Sequence, residues 1–82
     1  MAINDDDVLT ALAEESSIPQ DALVREATLE SLNIASLDVI SVLFTLEDRF
    51  GVVVEQDDLK YVKTLGDFVD VVMALAEKQG KA

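Results

Sequence analysis

The segment from Ser36 to Phe50 constrains the fold most, because its apolar residues recur at the spacing of an α-helix. Gly51 follows and can end that helix in a left-handed cap. More apolar side chains lie here than one buried stripe requires. We predict that one face packs inward through Val39, Val42, Leu43, Leu46 and Phe50 and leaves a second apolar stripe of Leu37, Ile40 and Phe44.

Two more long helices are predicted from capping residues. The first runs over Asn4–Ser16, where Asn4 pairs with Asp7 three residues later. The last runs from Thr64 to about Gln79, and Asp67 is three residues after its cap. Gln56–Val62 is predicted as a short helix.

The connecting segments carry fewer signals. Pro19 breaks the first helix, and a long loop follows up to Ala35, anchored by Leu23, Leu29 and Leu32. Asn33 suits a left-handed backbone conformation within it. Val52–Val54 has strand propensity, but nothing else in the chain offers a partner strand, so we expect an extended loop on the core.

Composition limits the class of protein. The 82 residues suit one domain spanning residues 1–82, and half of them are hydrophobic, enough for a core. A net charge of −11 disfavours nucleic acids and anionic membranes and favours partners with basic patches. Cysteine and histidine are absent, which excludes disulfides, thiolate metal sites and Ser-His or Cys-His catalysis.

The remaining patterns predict neither a membrane segment nor a catalytic or metal site. The acidic N-terminus and the lack of a long apolar run suggest a soluble, cytoplasmic protein. The acidic clusters lack the spacing of a calcium loop, and Asp5-Asp6-Asp7 suits a first helical turn. No feature suggests a cleft that would bury paired carboxylates for hydrolysis.

Three motifs follow one another along the chain. They are LNIASLD at residues 32–38, LEDRFG at 46–51 and VKTLGD at 62–67. Together they resemble the pattern of the acyl carrier proteins, L-G-x-D-S-L-D, then E-x-x-F-G, then T-x-x-D opening the last helix. The resemblance covers almost the whole chain. It implies an all-α four-helix bundle with three long helices, one short helix and a long loop between helices 1 and 2.

The resemblance also implies a function, which is not that of an enzyme. Ser36 would receive 4′-phosphopantetheine from coenzyme A and carry acyl groups as thioesters for fatty-acid, polyketide or specialised lipid biosynthesis. Without the motif, a serine at this place would be read as a helix N-cap. Implied partners are a phosphopantetheinyl transferase and enzymes that load, elongate and transfer the acyl group, served by a monomeric carrier.

Two residue sets accompany this interpretation. The second apolar stripe and its acidic neighbours predict a docking face, formed by Leu37, Asp38, Ile40, Phe44, Glu47 and Asp48. The acyl chain would need a pocket between the helices, for which the candidates are Val39, Leu43, Leu46, Phe50, Leu59, Val62, Phe68 and Val72. Loops covering the stripe and ordinary core packing are the alternative interpretations.

The chain departs from the family pattern at two positions. Asn33 replaces a glycine, which costs little, and Ala35 replaces the aspartate before the serine. Ala35 makes the start of the second helix less acidic, and Ser41 lies where many relatives carry another acid. We expect slower modification by a general transferase or a dedicated set of partners. A peptidyl or aminoacyl carrier and an unmodified carrier-like adaptor are the alternatives.

Overall fold

A computed structural model describes residues 2–81, and within them the chain folds into three α-helices joined by loops. Helix α1 spans Asp5–Ser16, α2 spans Ser36–Phe50 and α3 spans Leu65–Lys78. The connections contain two short 3₁₀ helices, Gln20–Ala22 and Gln56–Leu59. The prediction of an all-α fold is confirmed. Helices α1 and α3 begin directly after their predicted capping residues, and α2 lies where the apolar spacing placed it.

The short helix predicted over Gln56–Val62 differs from the observed one. It is a single 3₁₀ helix that ends at Leu59, and a turn follows. The N–H of Lys60 donates to the carbonyl of Asp57, and that of Val62 to the carbonyl of Leu59. These bonds span three residues, the pattern of a 3₁₀ helix. Nucleating an α-helix is costly for so short a segment, which explains the difference.

Capping boxes begin both α1 and α3, as predicted. In α1, Asn4 Oδ1 accepts from the Asp7 N–H at 2.9 Å and the Asp7 carboxylate accepts from the Asn4 N–H at 3.0 Å. In α3, Thr64 Oγ1 accepts from the Asp67 N–H at 3.1 Å, and Asp67 accepts from the Thr64 N–H at 3.2 Å. Each box satisfies backbone donors that the helix itself leaves free.

The long loop is fastened to the start of α3 by backbone hydrogen bonds. The Leu65 N–H donates to the Ala27 carbonyl at 2.8 Å, and the Gly66 N–H donates to the Arg25 carbonyl at 3.0 Å. The Leu29 N–H donates in turn to the Lys63 carbonyl at 3.2 Å. Arg25 also holds both oxygens of Asp70 on α3, at 2.9 and 3.0 Å.

The predicted loop anchors point inward, since Leu23 is buried and Leu29 and Leu32 are half-buried against the core. Asn33 has φ 56°, which confirms its left-handed conformation, and Gly51 after α2 has φ 71°. The three α-helices and these anchors enclose one hydrophobic core. Its fully buried side chains of largest volume are Val8, Leu12, Val42, Leu46, Val52, Leu65, Phe68, Val69 and Val72.

Val52–Val54 forms a loop rather than a strand, and Val52 and Val54 are buried on the core, as the sequence predicted. The side-chain amide of Gln79 replaces a partner strand. Its Oε1 accepts from the Val53 N–H at 2.9 Å, and its Nε2 donates to the Val53 carbonyl at 2.8 Å. Nearby, the Ile3 N–H donates to the Lys81 carbonyl at 2.9 Å, so the two ends of the described chain lie together.

The charge on Asp67 is expected to make stability depend on pH. Hydrogen bonds from the Thr64 and Lys63 N–H groups hold the pKa of Asp67 below its usual value. A pKa that is lower in the folded chain means that the charged form stabilises the fold above the unfolded-state pKa of about 3.9. This contribution is lost as the pH falls through the folded-state pKa.

We therefore expect Asp67→Asn to lower the urea midpoint at pH 7. The midpoints of the variant and the parent should converge as the pH falls below about 4. Urea titrations at pH 7, 5, 4 and 3 measure this difference. A difference that stays constant over the whole range would contradict the prediction.

Candidate functional site

Ser36 is the first residue of α2, and its side chain is exposed. The N-cap is Ala35, with φ −75° and ψ 157°. The N-cap interpretation of Ser36 is therefore not the observed arrangement, because the helix already includes this residue. Within residues 2–81 the Ser36 hydroxyl makes no hydrogen bond. It is available for covalent attachment.

The backbone around Ser36 offers several donors to a negative group. The Val39 N–H donates to the Ala35 carbonyl at 3.1 Å, whereas the N–H groups of Ser36, Leu37 and Asp38 have no acceptor among residues 2–81. Ala35 provides no side-chain cap for them. Free N–H groups and the positive end of the helix dipole favour an anion at this position. A phosphate attached to Ser36 therefore fits the site.

An apolar cleft of about 240 Å³ opens beside the Ser36 side chain. It lies between α2, the long loop and the second 3₁₀ helix. Gln56 provides the amide at its rim, and the remaining lining side chains are Leu29, Val39, Ile40, Leu59 and Val62. Of the predicted pocket residues, the structure brings Val39, Leu59 and Val62 together here.

Two apolar lining residues, and Gln56 at the rim, were not assigned to this pocket from the sequence. Leu29 was identified only as a loop anchor, and its pairing with Lys63 could not be read from helical spacing. Ile40 was assigned to the outer stripe of α2, but it is half-buried and faces this cleft. Helical spacing could have indicated this position, because Ile40 lies one turn after Ser36 and therefore on the same face of α2.

The other predicted pocket residues lie elsewhere. Leu46, Phe68 and Val72 are fully buried in the core, and Phe50 is half-buried against it. Leu43 lines a smaller cleft on the neighbouring side of α2, which Ile40, Phe44 and Gln56 also border. Among these five residues, only Leu43 borders either of the two clefts. None of the five borders the cleft beside Ser36.

Four of the six predicted docking residues form an exposed strip. Leu37 and Phe44 are 75% and 67% exposed, and Glu47 and Asp48 are exposed beside Phe44 along an open groove. Asp38 is half-buried. Ile40 is also half-buried, and it lines both of the clefts described above. Two large apolar side chains therefore face outward from α2 among carboxylates, while the middle of the predicted stripe is partly covered.

A single ion pair joins α2 to α1 within the described residues. Arg49 Nη1 lies 3.0 Å from Glu14 Oε1, and this contact holds the pKa of Glu14 below its usual value. Thr45 also donates to Glu15 on α1 at 2.8 Å. Arg49 thus faces α1, and the carboxylates of Glu47 and Asp48 stay on the exposed strip.

The described residues offer neither a cluster of metal ligands nor a membrane-spanning helix. Residues 2–81 contain no cluster of three or more acidic, histidine or cysteine side chains that could hold a metal ion. No helix in this part of the chain is both long and apolar enough to span a membrane.

Comparisons with known proteins agree with one another. Residues 6–72 match the family model described as "Phosphopantetheine attachment site". An acyl carrier protein of Acidothermus cellulolyticus is 34% identical, over 88% of this chain and 92% of the relative. One from Saccharopolyspora erythraea is 35% identical, over 87% of this chain and 76% of the relative. A meromycolate extension acyl carrier protein of Mycobacterium leprae is 25% identical, over 100% and 76%.

Solved structures include a similar fold. The solution structure of the acetyl actinorhodin acyl carrier protein from Streptomyces coelicolor superposes with a TM-score of 0.71 and 26% identity. The match covers 95% of this chain and 96% of that one. Since the family model and the curated relatives each cover most of the sequence, the chain belongs to the acyl carrier protein family.

Proposed function

We propose that Ser36 is the residue to which 4′-phosphopantetheine is attached. The observation that carries this proposal is the exposed Ser36 hydroxyl, free of hydrogen bonds within residues 2–81 and set at the start of α2 beside an apolar cleft. When bound, the group supplies the thiol for acyl thioesters, which a chain without cysteine lacks. The protein then presents acyl groups to enzymes of fatty-acid, polyketide or specialised lipid biosynthesis.

The apolar part of the cargo would rest in the cleft beside Ser36. A cavity of 150 Å³ is large enough for benzene, so about 240 Å³ accommodates only the first part of a long acyl chain. Val39, Leu59 and Val62 would contact it first. Reaching Leu46, Phe68 and Val72 would require the helices to move apart, because these side chains are fully buried.

The exposed strip on α2 would dock partner enzymes. Leu37 and Phe44 offer apolar contact area, and Glu47 and Asp48 with the half-buried Asp38 offer negative charge to basic patches. A net charge of −11 adds long-range attraction to such partners. Docking by a phosphopantetheinyl transferase and by acyl-loading, elongating and transferring enzymes would use this strip.

The proposal also covers the domain organisation, the oligomeric state and the location of the carrier. Residues 1–82 act as one carrier domain and a monomer, in which the 3₁₀ helix Gln56–Leu59 takes the place of the short helix of a four-helix bundle. The chain carries its cargo without catalysing a reaction on it. It works in the compartment that holds coenzyme A and the enzymes that use the thioester, which we propose to be the cytoplasm.

Ala35 supports one competing function, that of an unmodified adaptor, because it alters the residue next to the attachment site. The free Ser36 hydroxyl argues for the carrier. The curated relatives are named as acyl carriers, which favours acyl cargo over peptidyl or aminoacyl cargo.

Attachment at Ser36 is tested by intact mass. We expect incubation with coenzyme A, magnesium and a promiscuous phosphopantetheinyl transferase to add the mass of one arm to the parent. Ser36→Ala should gain nothing, because it lacks the attachment oxygen. Ser41→Ala, which removes a half-buried hydroxyl from the same helix, is the matched control and should be modified like the parent. A gain that persists in Ser36→Ala would overturn the assignment.

The effect of Ala35 on the transferase is tested by kinetics. We expect Ala35→Asp to raise kcat/KM for modification about two- to fivefold at low salt, the equivalent of one exposed ion pair, and less at high salt. Ala35→Asn, which has the same shape without the charge, separates charge from shape and should not show this salt-dependent gain. Equal rates for the parent and Ala35→Asp would show that the missing charge does not limit modification.

A further inference from the structure

Helix α2 has the spacing of a capping box but lacks the residue that would complete it. Asp38 occupies the third helical position, as the aspartates of the α1 and α3 boxes do. Ala35 occupies the N-cap and has no side-chain acceptor, so the box does not form. The first turn of α2 is held by the bond from the Val39 N–H to the Ala35 carbonyl, at 3.1 Å. An N-cap alanine is among the least stabilising choices.

We propose that the phosphate of the arm, once attached to Ser36, becomes the N-cap of α2. Its oxygens would accept from the backbone N–H groups of Leu37 and Asp38, which have no acceptor within residues 2–81. This inference rests on the attachment proposed above. The family match over residues 6–72 identifies the ligand as phosphopantetheine, and the uncapped first turn of α2 indicates the role of its phosphate in this chain.

The chemistry of the phosphate suits this role. A phosphodiester is negatively charged at neutral pH and has two unesterified oxygens, and charge-assisted hydrogen bonds to backbone N–H groups are stronger than neutral ones. The positive end of the α2 dipole adds to them. The half-buried carboxylate of Asp38 lies on the same turn and repels the phosphate, and its charge stays the same in every variant used below.

A capping side chain at position 35 would compete for the same donors. Asparagine would take the N–H groups before the arm arrives, and aspartate would also place a negative charge beside the phosphate. Alanine does neither. Attachment and the stability of the first turn of α2 are therefore coupled in this chain, and the coupling depends on the side chain at position 35.

Thermal unfolding of the unmodified and modified forms measures the coupling. For the parent we expect attachment to raise Tm by about 4–8 °C, the shift for one added N-cap in a domain of this size. For Ala35→Asn, the unmodified form should itself gain about this much, and attachment should add less than half of the parent's rise. Ala35→Asp should show the smallest rise.

Thr64→Ala is the matched control. It removes the N-cap of α3, where Thr64 Oγ1 accepts from the Asp67 N–H, and should lower Tm in both forms. Because Thr64 caps a different helix, the rise in Tm on attachment should equal the parent's. Amide NMR gives a local readout. The Leu37 and Asp38 N–H protons should move downfield and exchange more slowly on attachment in the parent, and much less in Ala35→Asn.

The outcomes separate this inference from the attachment itself. Intact mass reports whether Ser36 carries the arm, independently of Tm. A complete mass gain with no rise in the parent's Tm, or with an equal rise in Ala35→Asn, overturns the capping role and leaves the attachment site standing. A chain that never gains the mass, including protein recovered from its own cells, overturns both.

Discussion

The backbone hydrogen bonds between residues 25–29 and 63–66 fix the arrangement on which the site depends. They let the long loop satisfy the first N–H groups of α3, which would otherwise lack partners. The same bonds bring Leu29 into the lining of the cleft together with Val62, so the loop forms one wall of the cleft before it reaches Ala35. Loop, cleft and the start of α2 are thus set by one short region of pairing.

Local signals predicted the elements well, and contacts between distant segments were harder to predict. Capping pairs such as Thr64 with Asp67, the left-handed Asn33 and Gly51 act over three or four residues, so the sequence displays them directly. The place of Leu29 in the cleft depends on pairing with a segment more than thirty residues away. Helical spacing cannot report such pairing, nor the choice of a 3₁₀ helix for so short a segment as Gln56–Leu59.

Cations and carboxylates have different tasks on this acidic surface. Arg25 and Arg49 each join two segments, the loop to α3 and α2 to α1. Each exposed pair contributes little alone, so their value lies in orientation. Glu47 and Asp48 make no such contact within residues 2–81 and lie beside the exposed Phe44. The fold is held together without using the charges best placed to attract a basic partner.

The bond between the Ile3 N–H and the Lys81 carbonyl has a topological consequence. Because the ends of the described chain meet, a short peptide could join them and close the backbone into a ring. Ring closure reduces the conformational entropy of the unfolded chain and leaves the folded contacts unchanged. New ends could then be opened in an exposed segment away from the cleft, such as residues 19–22. The order of the helices along the polypeptide is therefore separable from the architecture that surrounds Ser36.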